Sequence, residues 1–216
     1  MNIESKNKLR IFFVRHGESI GNKENRFRGR YDFSLSETGV QQAQALKKEL
    51  RVVKFTIVFS SPLKRALDTA RIISPSNLKI QIKEEITNIS LGSWENQLKS
   101  EISKKYPYLW KTWLKEPEDL EFEGMETLKM VQNRAYRFVE KLIDYHTNGD
   151  ILVVSHRAVL KPLFARMLGI AKNYFWKIEL DPASYSVVEF KGDRGFTFTC
   201  INQNKHLQDY NREDLG

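Results

Sequence analysis

Three short apolar runs frame this chain: Ile11-Phe12-Phe13-Val14, Thr56-Ile57-Val58-Phe59 and Ile151-Leu152-Val153-Val154. Each is rich in β-branched or aromatic residues, the composition of a strand buried on both faces. Between and after them the apolar residues fall at three- and four-residue spacing, which predicts amphipathic helices. One helix carries Val40, Ala43, Leu46 and Leu50, with Thr38 and Gln41 in capping-box form. A second carries Leu63, Ala66, Leu67, Ala70 and Ile73, with Ser61 as its cap and Pro62 at its first position. A third runs from Leu128 to Leu142 and ends near His146 to Gly149. The fourth carries Val159, Leu163, Phe164, Met167 and Leu168 and stops at Gly169; Pro162 fits it only in the first turn. Leu78 to Ile82 alternates like a short strand at the margin of a sheet. Ala183 to Phe190 and Phe196 to Ile201 read as a closing hairpin turned by Gly192-Asp193-Arg194-Gly195. Alternating strands and helices predict an α/β fold, a three-layer α/β/α sandwich around a mostly parallel central sheet.

The stretch from about 84 to 126 breaks this alternation. Leu98, Ile102, Tyr106, Leu109, Trp110, Trp113 and Leu114 suggest one or two helices interrupted by Pro107, and Trp94, Trp110 and Trp113 read most simply as packing. Glu116 to Gly124 is acidic and reads as an exposed loop. The whole segment is expected to be a helical insertion, a lid over the C-terminal edge of the strands, where α/β folds carry function. The 202–216 segment is polar and expected to fray, leaving His206 without a role. With 216 residues, residues 1–216 fit one domain.

Composition narrows the class. The chain holds 41% hydrophobic and 29% charged residues, as an ordinary globular protein does, and no run is long enough to span a bilayer. Met1 to Arg10 is polar, with no apolar leader, so the expected compartment is cytoplasmic and no membrane partner is expected. Cys200 is the only cysteine, which excludes an internal disulfide and a cysteine-based zinc site. The net charge of +8 is scattered rather than gathered in a tail or a nucleic-acid module, favouring a small soluble anion over nucleic acid as the partner. A homodimer is compatible with these features.

The candidate chemistry sits where the strands end. Arg15-His16-Gly17-Glu18-Ser19 follows the first run, Ser60-Ser61-Pro62 with Arg65 follows the second, and Ser155-His156-Arg157 follows the third. In one parallel sheet, His16 and His156 emerge on the same edge beside Arg15 and Arg65. Two imidazoles and two guanidinium groups make a pocket for a phosphoryl group. Arginine's planar fork pairs phosphate oxygens, a neutral imidazole is a nucleophile, and adjacent cations keep it unprotonated. Arg26, Arg28 and Arg30 follow; singly each is a solvated loop residue, together they could take further negative charge on a ligand. Carboxylate partners for a metal at the two histidines are missing, so neither metal nor other cofactor is expected.

Several motifs in the same order resemble one family. Val14-Arg15-His16-Gly17-Glu18-Ser19, Asn22, Asn25-Arg26-Phe27-x-Gly29, Leu35-Ser36-x-x-Gly39, Ser60-Ser61-Pro62-Leu63-Lys64-Arg65-Ala66-x-x-Thr69-Ala70 and Val153-Val154-Ser155-His156 are similar to the histidine phosphatase superfamily, the phosphoglycerate-mutase-like proteins. The resemblance runs from Phe12 to about Phe190. It implies the three-layer fold, a transient phosphohistidine at His16, and a phosphate pocket of Arg15, Arg65 and His156 with Asn22 nearby.

Two positions depart from that pattern. Where the family usually places a glutamate, general acid and then base, this chain has Asn88 in Thr87-Asn88-Ile89-Ser90-Leu91-Gly92-Ser93-Trp94-Glu95. An amide cannot protonate an alkoxide. The proton donor is then Glu85, Glu95 or a glutamate of the acidic loop, or turnover is slow; in many relatives the residue matching Glu95 is structural. Arg157 stands where glycine is common, and either meets a second anionic group of the substrate or faces out. The family's mutases are usually longer after the Gly-x-Trp-Glu region, so the resemblance favours hydrolysis of a small anionic phosphorylated metabolite. The alternatives are a degenerate member that binds phosphorylated ligands or a protein partner with little turnover, and a mutase-type phosphotransferase.

Overall fold

The computed structural model describes residues 9–207. A six-stranded sheet in the order β3-β2-β4-β1-β5-β6 forms the centre. Its strands are β1 (Leu9–Arg15), β2 (Phe55–Ser60), β3 (Ile80–Ile82), β4 (Gly149–Ser155), β5 (Tyr185–Phe190) and β6 (Phe196–Gln203). Pairs β1–β4, β2–β4 and β2–β3 are parallel, while β5 and β6 close one side antiparallel. The apolar runs are continuous because both faces of their strands are covered. Ile11, Phe13, Ile151 and Val153 face one core with α6 (Leu128–Tyr145) and α7 (Arg157–Met167). Phe12, Val14, Leu152 and Val154 face the other, with α2 (Glu37–Leu50) and α3 (Lys64–Ile73). The alternation of side chains along each strand thus assigns residues to two helical layers, giving the expected α/β/α sandwich.

Local details differ from the sequence expectations for identifiable reasons. Helix α2 is capped by Ser36, whose Oγ accepts from Gly39 N at 3.0 Å, and Thr38 lies inside the helix instead of capping it. Ser36 wins because it is also tied to the strand exit: its N donates to Glu18 O at 2.9 Å and its Oγ to Glu18 Oε1 at 2.6 Å. Helix α3 begins one residue beyond Leu63, and its first amide, Lys64 N, donates to Asp32 Oδ1 at 2.7 Å. Ser61 is therefore displaced from the capping role, a distant carboxylate having taken part of it. Pro162 lies well inside α7, and its carbonyl accepts from Gln132 Nε2 at 2.9 Å across the α6–α7 contact.

The irregular segment contains α4 (Lys99–Lys105) and α5 (Pro107–Lys115), with Pro107 starting a helix as well as separating two. The acidic stretch is less exposed than its charge suggests. Pro117 and Leu120 are buried, and Glu118 Oε1 accepts from Tyr174 N at 2.8 Å and Phe175 N at 2.9 Å. The chain end also departs from expectation as far as it is described. β6 continues to Gln203, Asn202 and Asn204 donate to Asp181 Oδ2, and His206 Nε2 meets Ala183 O at 3.0 Å. Residues 208–216 of the expected polar tail lie outside the described residues.

One close approach fixes the path out of β1. A Cβ on Gly17 would stand 2.5 Å from Gly39 O, and one on Gly39 would stand 1.9 Å from Glu18 O. Neither obstacle is a flexible side chain. Gly39→Ala is expected to cost about 2–3 kcal/mol and lower Tm by roughly 6–10 °C. A melting curve within 2 °C of wild type would show that the two segments are not held this tightly.

Candidate active site

Parallel pairing sets the two imidazoles side by side. Arg15 is in register with Ser155, so the next residues, His16 and His156, leave adjacent strands together, and His16 N donates to Ser155 O at 3.0 Å. Their ring centroids lie 5.1 Å apart at 59°. His16 Nδ1 is 2.6 Å from Gly17 O; a carbonyl only accepts, so Nδ1 carries the proton and Nε2 the lone pair. Both rings are almost completely buried. Burial, then the Arg65 charge, then that of Arg15 hold His16 well below the ordinary imidazole range. Burial, Arg65 and His16 do the same to His156.

This has a consequence for stability. Below the unfolded value of 6.5 the unfolded chain binds protons that these buried rings do not, so stability is lost as pH falls. Each ring costs up to about 1.4 kcal/mol per pH unit in that window. Tm is expected to be level above pH 7 and to drop progressively from pH 6.5 to 5; a Tm independent of pH there would contradict neutral burial.

Arg65, on the first turn of α3, is fully buried. Its Nη1 donates to Tyr31 O at 2.9 Å and its Nη2 to Gly29 O at 2.8 Å, while Nε is buried with no partner in the protein. Burial, followed by repulsion from Arg28, pushes its pKa down to about 9, so it remains a cation at neutral pH. Arg15 is anchored by Nη1 donating to Leu180 O at 2.6 Å. Thr69 Oγ1 links the elements, accepting from Gly17 N at 3.1 Å and donating to Arg65 O at 2.7 Å. Ser61 Oγ lies 2.7 Å from His156 Nε2, and His156 Nδ1 is buried without a partner. Sequence reasoning assigned Ser61 to a helix cap and so missed this contact; the serine following a strand end opposite His156 was the available signal.

The third side comes from the segment after β3. Asn88 is only 7% exposed. Its Nδ2 donates to Gly29 O at 2.8 Å, the same carbonyl that Arg65 holds, and its Oδ1 is buried with no partner. Arg30 Nε and Arg134 Nη2 each donate to the Asn88 carbonyl at 3.2 Å. Gly29 has φ +48°, and Glu95 Oε1 braces this turn by accepting from Arg30 N at 3.0 Å and Leu91 N at 2.9 Å.

The two histidines, Arg15, Gly29 and Asn88 border a cavity of about 630 Å³ including its mouth, and Arg65 stands outside its lining. His16, His156 and Asn88 line it together with the cations Arg15, Arg26, Arg28, Lys99 and Arg157. Phe27, Ile89, Leu91, Trp113 and Met125 supply apolar wall, so much of the enclosure comes from the irregular segment. Arg157 is buried against the cavity instead of facing outward. Among the described residues the lining holds no Asp or Glu. Glu95 is occupied with backbone amides, Glu85 offers its carbonyl to Arg134 Nη1 at 2.7 Å, and neither side chain lines the cavity. Arg30 turns away to Glu126 and the Asn88 carbonyl. Asn22 also stands outside the lining; its Oδ1 accepts from Ser19 N and Oγ in the capping box of α1 (Ile20–Lys23), next to the β1 exit. Among the described residues no three His, Cys, Asp or Glu side chains gather as metal ligands, and no helix is long and apolar enough to cross a membrane.

Comparison with known proteins agrees with this arrangement. Phosphoserine phosphatase 1 of Hydrogenobacter thermophilus is 35% identical over 203 residues, which cover 94% of this chain and 96% of that protein. The adenosylcobalamin/alpha-ribazole phosphatase of Escherichia coli K12 is 29% identical over 182 residues, 84% of this chain and 90% of that one. Among solved structures, Bacillus stearothermophilus YhfR superposes with a TM-score of 0.88 at 29% identity, over 92% of this chain and 98% of that one. The family model for the histidine phosphatase superfamily, branch 1, matches residues 11–204, from the first buried strand to the end of the sheet, and the chain belongs to that family.

Proposed function

We propose that the protein is a metal-independent phosphomonoesterase that hydrolyses a small anionic phosphorylated metabolite through a phosphohistidine at His16. The observation that carries this reading is a lone pair on His16 Nε2 set beside buried polar atoms, Arg65 Nε and His156 Nδ1, that find no partner in the protein. Buried polar groups without partners are costly, and a tetrahedral oxyanion satisfies both the Arg65 cation and the neutral His156 N–H. His16 attacks phosphorus in line; Arg15 and Arg65 neutralise the equatorial oxygens as charge spreads onto them, and the neutral His156 ring donates a hydrogen bond to one. Asn22 acts on the same phosphate region by fixing the loop after His16. Arg26, Arg28, Lys99 and Arg157 suit a substrate with a second anionic group, beside apolar walls that admit little water. Phosphatase-named relatives covering most of their length support a small phosphorylated substrate.

One catalytic domain spans the chain, with residues 84–126 as its lid. Its cations lie inside a cavity rather than along a surface stripe, which favours a metabolite over nucleic acid. A cytoplasmic location and a homodimer complete the proposal, testable by fractionation and by sedimentation. The rival is a member that binds phosphorylated ligands with little turnover, favoured by Asn88 and by a cavity without a carboxylate.

Phosphate release from a panel of phosphorylated metabolites, with and without chelator, decides between them. Release unaffected by chelator and inhibited by vanadate is expected; activity lost with chelator and restored by zinc or manganese would overturn the mechanism. Ser61→Ala is expected to lower kcat/KM about tenfold by releasing the ring of His156, an effect worth roughly one hydrogen bond. An unchanged kcat/KM would deny Ser61 that part.

A further inference from the structure

The most informative unpartnered atom in the cavity is an acceptor. Asn88 Oδ1 is buried without a partner in a chamber otherwise furnished with donors. Its orientation is fixed: turning the amide over would set Oδ1 against Gly29 O at the 2.8 Å now spanned by Nδ2, oxygen against oxygen. The two backbone carbonyl oxygens of that region are also committed, since Gly29 O accepts from Arg65 and Asn88 Nδ2 and Asn88 O accepts from Arg30 and Arg134. A neutral carbonyl oxygen here accepts a proton-bearing ligand atom and repels an anionic one. A fully ionised phosphate has no hydrogen to offer; a singly protonated phosphate has one.

From this geometry we infer that Asn88 selects the monoanionic form of the phosphate ester and that the proton leaving with the alcohol is the substrate's own. The inference rests on the phosphatase reading above. The P–OH of the ester donates to Asn88 Oδ1. As the bond from His16 Nε2 to phosphorus forms, the bond from phosphorus to the ester oxygen breaks, its electron pair stays on that oxygen, and the same proton moves there. The alcohol departs neutral and donates to Oδ1 in its turn. Substrate and phosphoryl-enzyme carry the same charge, one negative, so no external acid enters the balance. Water then attacks phosphorus, the P–N bond breaks, the pair returns to Nε2, and a water proton passes to a phosphoryl oxygen, releasing dihydrogen phosphate.

The surroundings leave the substrate as the group that titrates in the working range. From β1 and α7 come His16 and His156, both held neutral, with Arg15 and Arg157 as cations. Arg28 from the preceding loop, Arg65 from α3 and Lys99 from α4 add positive charge. Behind Asn88 stand Arg30 and Arg134, the latter paired with Glu126 at 2.7 Å. The nearby carboxylates Glu85 and Glu95 do not line the chamber.

The test is the pH dependence of kcat/KM for two alkyl phosphates of similar shape, one fluorinated so that its second ionisation falls about one unit lower. Alkyl phosphates lose the second proton near pH 6. For each, kcat/KM should fall about tenfold per pH unit above that ester's own ionisation, and the break should move with the substrate. Asn88→Leu, which removes the acceptor at similar volume, should lower kcat/KM below each break about tenfold and leave the activity above it little changed, flattening the profile; an unchanged profile would deny Asn88 its part. A wild-type break at one pH for both esters, or a flat wild-type profile, would overturn the inference. Labelling of His16, quenched in alkali to preserve the acid-labile adduct, is read in the same samples: label present with a shared break defeats the proton assignment alone, whereas no label and no release defeats the phosphatase reading.

Discussion

His16→Ala is expected to abolish both phosphate release and covalent labelling, a loss of roughly ten-thousand-fold or more. The expectation follows from a specific geometry. Gly17 O fixes the Nδ1 proton, so Nε2 faces the reaction with its lone pair, and burial beside Arg65 and Arg15 keeps that lone pair unprotonated. His156 is no deputy, because its Nε2 is engaged with Ser61 Oγ at 2.7 Å. Incubation with labelled substrate, followed by mapping of the acid-labile adduct, measures the result directly. A label on serine or on another histidine, or a variant that keeps even a hundredth of wild-type turnover, would sink the mechanism.

The second large effect is expected at Arg65. Arg65→Ala should lower kcat about a hundred- to a thousand-fold while leaving slow labelling of His16 detectable, because charge neutralisation fails but the nucleophile survives. Removing this cation should also raise the basicity of both imidazoles, of which it is the strongest charged depressor. The acid limb of the pH profile should therefore move toward neutrality, a change that simple loss of packing would not produce. Arg65→Lys should rescue little, since the three donors of an ammonium share one nitrogen and cannot span the Tyr31 and Gly29 carbonyls while aiming a third where Nε points. Full activity in the lysine variant would reduce Arg65 to a point charge.

The strands were legible because they are covered on both faces, which leaves unbroken apolar runs at Ile11 to Val14 and Ile151 to Val154. Parallel register then made the meeting of His16 and His156 readable before any coordinates. Caps were less readable, because the groups that complete them come from afar: Asp32 serves the start of α3, and Ser36 is chosen by its second bond to Glu18. The same holds for the cavity wall. Nothing local in the sequence says that Lys99 and Arg157 converge with Arg15, or that Glu95 is consumed in bracing a turn at Gly29. The site's axis was written in strand ends, and its rim in contacts between distant segments.

The cations of the cavity lining bear on departure as well as arrival. On the proposed mechanism, Arg26, Arg28, Lys99 and Arg157 attract the product phosphate as they attract its ester. Under the proposed mechanism, chemistry at His16 would then compete with escape as the slow step of the cycle, so phosphate should accumulate as a competitive inhibitor. Added salt should slow capture of dilute substrate while hastening turnover at saturation, opposite signs from one screened field.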